Sequence, residues 1–272
     1  MKKHLYTIIL ILVFIVGLSL LLYPTISDYW NSLHQSKAIA TYIEQVADLD
    51  KERYQKILDN AYTYNASLLD RKTPYTLTPE QKAEYYALLD PGGLGIMAYV
   101  EIPSIGVSLP IYHGTNESVL QKAIGHLEWT SLPVGGESTH CVISGHRGLP
   151  SSRLFTDLDK VSEGDIFFIR VLDELLTYKV TKILTVEPTQ VQALKIEKGK
   201  DLCTLVTCTP YGVNSHRLLV IAERTENPEE ASTVHVTADA MQIEPIIVAP
   251  VVAIPLLLIL LTALLISTRK RR

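Results

Sequence analysis

The sequence predicts a compact, mainly β domain, a barrel or a sandwich, that follows amphipathic helices and lies between two membrane-spanning helices. Short apolar runs bounded by turn residues predict the β domain, helical spacing of apolar residues predicts the helices, and two long uncharged runs predict the spans. A chain of 272 residues, 47% of them hydrophobic, can bury one full-sized core and carry these additional segments.

The first uncharged run covers residues 5–23 and follows Lys2 and Lys3. At about 1.5 Å per residue, a helix of this length crosses a hydrocarbon core of about 30 Å. A cleaved signal peptide would have a shorter apolar region and a small-x-small site, for which residues 25–27 are a poor match. We therefore expect an uncleaved anchor over residues 1–24.

The second uncharged run, residues 246–266, ends at the basic cluster 269–272. Pro250 and Pro255 lie inside it, which a membrane span tolerates better than a soluble helix. We expect a C-terminal anchor over residues 244–272. Because basic clusters flank the outer ends of both runs, the positive-inside rule predicts a two-pass protein of the cell membrane. Both termini are expected in the cytoplasm and the region between the anchors outside it.

Residues 25–95 are predicted to be mainly helical, because apolar residues recur at helical spacing between residues 29 and 69. Packing of this stripe on its own domain is favoured over a partner-binding face. Two prolines and three threonines between residues 71 and 80 interrupt the pattern and predict an exposed loop.

The β domain is predicted over residues 96–225, and a polar linker over residues 226–243 joins it to the second anchor. A small helix is expected at residues 117–123. The predicted strands are residues 97–102, 107–112, 141–144, 165–171, 175–180, 182–186, 204–207 and 217–222.

Residues 204–220 read as a strand, a turn-rich loop and a second strand. Cys208 ends the first strand and Arg217 begins the second, so a hairpin-like return could place thiol and guanidinium side by side. A fixed positive charge favours thiolate over thiol and can stabilise the oxyanion formed when a thiolate attacks an amide carbonyl. The alternatives are a small buried hydrophobe for Cys208 and an exposed strand-edge charge for Arg217.

Such a site also needs a proton donor for the leaving amine. His146 follows a predicted strand and lies between Gly145 and Arg147-Gly148, where backbone freedom can direct a side chain into a cleft. Taken alone this is weak evidence, because the chain has 8 histidines. The competing candidates nearby are His113, His140 and His216.

Metal and nucleic-acid sites are disfavoured. Cys203 and Cys208 are five positions apart, so on a regular strand they face opposite sides, and the common C-x2-C spacing is absent. The net charge of -4, without a long basic stripe interleaved with aromatic residues, argues against nucleic acid as a partner. Since the chain has 3 cysteines, at least one thiol is expected to be free.

Residues 204–217 resemble the sortase signature, a TLxTC strand followed by an arginine on the next strand, and residues 144–147 match the family's histidine segment. The similarity spans roughly residues 98–220. It points to the class C, pilus-assembling sortases of Gram-positive bacteria, whose characteristic segments are matched by residues 111–115, 125–128, 144–150 and 209–212.

The resemblance implies a closed eight-stranded β-barrel with Cys208 as nucleophile, His146 as acid and base, and Arg217 as oxyanion stabiliser. It implies cleavage of an LPxTG-like sorting signal between Thr and Gly through a thioester. A lysine amine of another pilin subunit then resolves the thioester. The expected partners are pilin subunits that carry sorting signals and acceptor lysines, and membrane lipid. No metal or organic cofactor is implied.

Class C enzymes also carry a lid with an Asp-Pro-aromatic motif over the cysteine. The loop at residues 70–80 offers Asp70, Pro74 and Tyr75 as candidate lid residues, although here Asp70 is separated from the Pro-aromatic pair. Asp90-Pro91 lacks the following aromatic residue and is the weaker candidate.

Two other functions remain open. One is a housekeeping sortase that attaches proteins to peptidoglycan, which the second anchor and the long helical region disfavour. The other is a membrane-tethered β-barrel binding module without enzymatic activity, which would need none of Cys208, His146 and Arg217.

Overall fold

A computed structural model describes residues 2–69, 71 and 76–228. The candidate lid residues Asp70, Pro74 and Tyr75 lie outside the described residues. So does the predicted C-terminal anchor, residues 244–272.

The first element, α1, is a continuous helix over Lys2–Ala47. Within the described residues it is the one helix long and apolar enough to cross a membrane, and its most apolar stretch is not buried against the rest of the protein. Pro24 lies inside α1, just after the apolar run. The predicted N-terminal span is therefore the first part of a longer helix that continues into the folded domain.

The second helix, α2, covers Lys51–Ser67 and begins at Asp50, whose side chain accepts a hydrogen bond from the backbone N–H of Arg53 at 2.8 Å. The third, α3, covers Pro79–Ala87 and begins at Thr78 with a capping box. The predicted loop 70–80 therefore includes residues 79 and 80, which belong to α3. Pro79, taken as a turn signal, occupies the first helical turn, where a missing N–H costs little.

Eight strands form a closed barrel in the described part of the chain, in the order β1-β2-β3-β4-β7-β8-β6-β5. The β2–β3 and β4–β7 pairs are parallel and the other pairs antiparallel. The predicted closed eight-stranded barrel is confirmed, and its sheet contains both parallel and antiparallel strand pairs. The strands are β1 Ile96–Ile102, β2 Val107–His113, β3 Ile124–His126, β4 Thr139–Ser144, β5 Ile166–Val171, β6 Glu174–Val186, β7 Asp201–Thr209 and β8 His216–Thr225.

Two strand predictions were wrong, although the number eight was right. The predicted strands 175–180 and 182–186 form one strand, β6, because the break between them is a register shift between Val180 and Lys182. Strand β3 was not predicted. The predicted helix 117–123 is observed as α4 over Glu117–Leu120.

The helices pack their apolar stripe on the barrel, as the favoured interpretation predicted. On α1, Ile39 and Tyr42 are buried, and the Tyr42 hydroxyl donates to the Met97 carbonyl at 3.0 Å. On α2, Asn65 pairs with Leu132, donating to its carbonyl at 3.1 Å and accepting from its N–H at 2.7 Å. These bonds attach α1 to β1 and α2 to the segment between β3 and β4.

Candidate active site

Cys208 lies near the end of β7 and points away from the barrel interior. Alternate residues of β7 face opposite sides, and the interior positions Cys203, Leu205 and Thr207 are buried. Cys208 is a free, partly exposed thiol on the outer face. The predicted opposition of Cys203 and Cys208 is therefore observed.

Arg217 lies directly opposite Cys208, as the strand-loop-strand pattern suggested. The two residues are register partners in the antiparallel β7–β8 pair. Side chains that are directly opposite in such a pair project from the same face, with Cβ atoms about 4.5–5.5 Å apart. The Arg217 guanidinium donates to the carbonyls of Asn214 at 3.2 Å and His216 at 3.1 Å, which hold it at the loop.

His146 reaches the same place from the other side of β7. Strands β4 and β7 are parallel with Ser144 opposite Val206, and the Gly145 N–H extends the pairing by donating to the Val206 carbonyl at 3.0 Å. Two residues beyond the last pair, the same register would set His146 beside Cys208, and the next residue, Arg147, donates to the Thr209 hydroxyl at 3.5 Å. The three predicted residues thus lie on three neighbouring chain segments at one rim of the barrel.

Gly145 is needed for this approach. A Cβ atom at Gly145 would lie 2.7 Å from Ile124 Cγ2 and 2.7 Å from Phe155 Cδ2. The buried Thr207 hydroxyl donates to the Gly145 carbonyl at 2.8 Å, and the Phe155 N–H donates to the His146 carbonyl at 3.2 Å. The backbone that carries His146 is therefore held on both sides.

The His146 ring lies near one carboxylate and is partly exposed. Its side chain is 28% exposed, and Nε2 lies 3.8 Å from the carboxylate of Glu117, which is 71% exposed. Nε2 is shielded from solvent yet has no hydrogen-bond partner within the described residues. A nitrogen of this kind can exchange a proton with a bound reactant.

The competing histidines are engaged elsewhere. His113 and His140 are buried, and burial lowers the pKa of each imidazole. The His113 ring nitrogens contact backbone carbonyls, and His140 lies between the Lys195 carbonyl at 2.8 Å and the Thr204 hydroxyl at 2.7 Å. Both stabilise the fold. His216 is bonded to Ser215 at 2.8 Å.

Cys141 and Cys203 do not take part in the rim site. They are buried register partners on the parallel strands β4 and β7. Burial raises the pKa of Cys203 well above its usual value, and the neighbouring Cys141 adds to that shift. Both side chains are enclosed, so a peptide cannot reach either thiol in the folded protein.

Two residues at the rim were not singled out by the sequence reasoning. Arg147 pairs with Asp159, and its guanidinium carbon lies 5.8 Å from the centroid of the Tyr211 ring. The ring also covers Gly148, where an added Cβ would lie 2.9 Å from Tyr211 Cε2. These contacts tie the loop after His146 to the β7–β8 loop. Both residues lie in segments that carry the family resemblance, which was the available signal.

A second apolar cluster packs on the outer face of the barrel, next to Cys208. Val206, two residues before Cys208 and on the same face, packs with other apolar residues there. The cluster is largely enclosed and stabilises this face of the barrel. Its buried members are Val142, Leu194, Val206 and Leu219, with Leu127, Trp129 and Leu184 among the partly buried ones.

Comparison with known proteins identifies the family of this chain. The family model described as "Sortase domain" matches residues 100–225. Sortase A of Streptococcus agalactiae serotype III is 26% identical over 226 residues, which cover 82% of this chain and 85% of that protein.

Two solved structures are more similar. Sortase C1 from Streptococcus agalactiae has 49% identity and a TM-score of 0.69, covering 71% of this chain and 100% of that one. The sortase C structure of Streptococcus pneumoniae, an enzyme described with pilin substrate specificity, has 44% identity and a TM-score of 0.63. It covers 70% of this chain and 97% of the pneumococcal chain.

Proposed function

The chain belongs to the sortase family of cysteine transpeptidases, and from that premise we propose that it joins pilin subunits through a thioester on Cys208. The observation that carries the proposal is the strand register at the rim. It pairs Cys208 with Arg217 on β8, and the parallel β4–β7 pair, continued past Ser144, leads to His146 on the other side of β7.

In the first half-reaction the Cys208 thiolate attacks the threonine carbonyl of an LPxTG-like sorting signal. Negative charge develops on the carbonyl oxygen, where the Arg217 guanidinium stabilises it. The Thr–Gly bond breaks as His146 gives a proton to the leaving glycine amine. The products are a thioester between Cys208 and the pilin, and a released peptide that begins with glycine.

In the second half-reaction a lysine ε-amine of another pilin attacks the thioester carbonyl. His146, now neutral, accepts a proton from the attacking nitrogen, and Arg217 again stabilises the oxyanion. The C–S bond breaks, leaving an isopeptide link between the pilins and a Cys208 thiolate. The cycle consumes no cofactor, because the thioester conserves the energy of the cleaved peptide bond.

Pilin transfer is favoured over attachment to peptidoglycan by the pattern of similarity. The chain is 49% identical to a sortase C1 and 26% identical to a sortase A. The pneumococcal sortase C acts on pilins, and the same substrate class is proposed for this chain. A housekeeping role is the second candidate, since several relatives are named sortase A.

The segment around residues 70–80 is proposed as a lid. Leu69, just before the segment, and Arg71, at its start, line a cleft of about 230 Å³ together with Trp129 and Leu194 of the apolar cluster. Asp70, Pro74 and Tyr75 would then cover the approach to Cys208. Asp90, the weaker candidate, accepts hydrogen bonds from Leu94 N–H and Gly95 N–H, both at 3.1 Å, in a local turn.

We further propose that the protein is anchored by α1 and by the predicted second span, residues 244–272, with the barrel outside the cell. The apolar first part of α1 supports the first anchor.

The proposal is tested by co-expressing the chain with a pilin that carries a sorting signal and following high-mass, SDS-resistant ladders. Cys208→Ala is expected to abolish the ladders, whereas Cys141→Ala and Cys203→Ala, at the buried pair, should retain most of them. Ladders that persist in Cys208→Ala cells would contradict the nucleophile assignment. Product attached only to peptidoglycan would favour the housekeeping alternative.

A further inference from the structure

Polar residues on one face of α1 hold the loop that follows His146. The Asp28 carboxylate accepts from the Arg153 N–H at 2.7 Å, and the Asn31 amide donates to the Ser151 carbonyl at 2.7 Å. One turn later the Gln35 amide donates to the Lys122 carbonyl at 2.8 Å. The part of α1 nearest the apolar run is therefore attached to the rim that carries His146.

The other end of α1 lies at the opposite end of the barrel. The Tyr42 hydroxyl accepts from the Leu172 N–H at 2.6 Å, in the turn between β5 and β6. Arg217 lies at the rim end of strand β8. The far end of the same strand, Thr225, pairs with Thr177 of β6 close to the β5–β6 turn. The helix thus runs along the barrel with its membrane end beside the candidate active site.

The number of residues in α1 between the apolar run and Asp28 limits the distance between this rim and the lipid. The uncharged run ends at Tyr23, and Asp28 follows just over one helical turn later, about 8 Å along the axis at about 1.5 Å per residue. The headgroup layer on each side of a bilayer is roughly 5–8 Å thick. A bend at Pro24 would tilt the barrel but would not lengthen this connection.

Exposed apolar side chains occur at the rim. In the β7–β8 loop, Tyr211 is 61% exposed and Val213 is 69% exposed. The Tyr211 ring lies against Gly148, three residues before the Ser151 carbonyl that α1 binds. On α1, Trp30 is 63% exposed. Tryptophan and tyrosine are enriched where a protein meets the membrane interface.

We propose that this rim rests on the outer surface of the bilayer, with Val213 and Tyr211 inserted among the lipid headgroups. The inference rests on the membrane anchoring by α1 given in the proposed function. Its consequence is that Cys208 is held at the depth where a peptide emerges from the membrane. A substrate protein that is still anchored in the membrane next to its sorting signal would therefore reach the Cys208 thiol without leaving the bilayer surface.

The test uses the full chain in liposomes, in a Cys208→Ala background in which Cys141 and Cys203 are buried. Val213→Cys carries an environment-sensitive dye, and the liposomes contain lipids with a nitroxide at the headgroup or at a shallow acyl position. The matched control is Glu174→Cys, an exposed site at the far end of the barrel. We expect loss of fluorescence at position 213 and little change at position 174.

Equal quenching at the two positions, or none at position 213, would overturn the proposed contact. Flotation of the same liposomes separates this result from failure of anchoring, because a chain that does not float with lipid contradicts the anchor itself. A dye at position 213 that is quenched only by a nitroxide-labelled sorting peptide, and not by lipid, would assign the loop to substrate.

Discussion

At the residue scale, the central feature is that Cys208 has one partner on each side. Arg217 faces it across an antiparallel pair, and His146 follows the strand that pairs in parallel with β7 on the other side. The pairing of Cys208 with Arg217 could be predicted, because Cys208 lies near the end of one strand, Arg217 lies near the start of the next, and a short loop joins the two strands. The position of His146 on the other side could not be derived from spacing, because β4 and β7 are far apart in sequence, and only the family resemblance supplied it.

Replacing Arg217 by Lys should slow acylation of Cys208 far more than it weakens peptide binding. The lost donors act chiefly on the charged intermediate, and removal of one oxyanion donor typically costs about 10²–10³ in rate. Single-turnover acylation measures this directly. The matched control is Arg224→Lys at the other end of β8. If Arg217→Lys acylated as fast as the parent, the role of Arg217 would be structural.

Gly145→Ala should both destabilise the barrel and impair the site. The new methyl would meet Ile124 and Phe155 at 2.7 Å each, and overpacking of a core typically costs about 1–3 kcal/mol. Displacement of the segment would also move His146 away from Cys208. Thermal denaturation and acylation rate are measured together, with the neighbouring Ser144→Ala as control. If Gly145→Ala had the melting temperature and the acylation rate of the parent, the side chains around position 145 would have moved to make room for the methyl group.

At the element scale, the long strands could be predicted from the sequence. The short strand β3, the continuity of β6 and the start of α3 could not. Strand β3 has three residues with a glycine in the middle, and its pairing with β2 and β4 defines it rather than any alternation. Strand β6 looked like two strands because a register shift interrupts its pattern between Val180 and Lys182. Helix α3 was hidden by Pro79, which signals a turn as readily as a helix start.

The segment at residues 70–80 gives a prediction at this scale. Deleting residues 71–76, or changing Asp70 and Tyr75 to Ala, should speed alkylation of Cys208 by a thiol reagent. Opening a docked loop requires only local disorder, so the melting temperature of the barrel should change little. Lys72→Ala in the same segment is the control. Unchanged alkylation in both variants would show that access to Cys208 is controlled elsewhere.

At the scale of the whole molecule, the sequence indicated an anchor and a barrel but not how they are joined. Helix α1 continues without interruption from the apolar run onto the rim. It is held there because Asp28 accepts a hydrogen bond from a distant loop, and Asn31 and Gln35 donate hydrogen bonds to distant loops. Such contacts leave no periodic signal. They are the reason that the membrane end of the helix and the candidate site lie together.

Topology is tested with single cysteines in the Cys208→Ala background and an impermeant maleimide on intact cells. Sites at positions 3 and 271 should be protected, and one at position 232 should react, because both termini are expected in the cytoplasm. Permeabilised cells provide the control for reactivity. Labelling at position 271 in intact cells would contradict the two-anchor arrangement.

The most direct test of the account is to trap the acyl-enzyme. The chain is incubated with a peptide that carries an LPxTG-like sorting signal, quenched in acid, digested and examined by mass spectrometry. We predict that the peptide up to threonine is attached to Cys208, that hydroxylamine removes it, and that His146→Ala greatly reduces it. Acylation at another residue, or an adduct on Cys208 that retains the glycine, would contradict the assignment of Cys208 as the transpeptidase nucleophile.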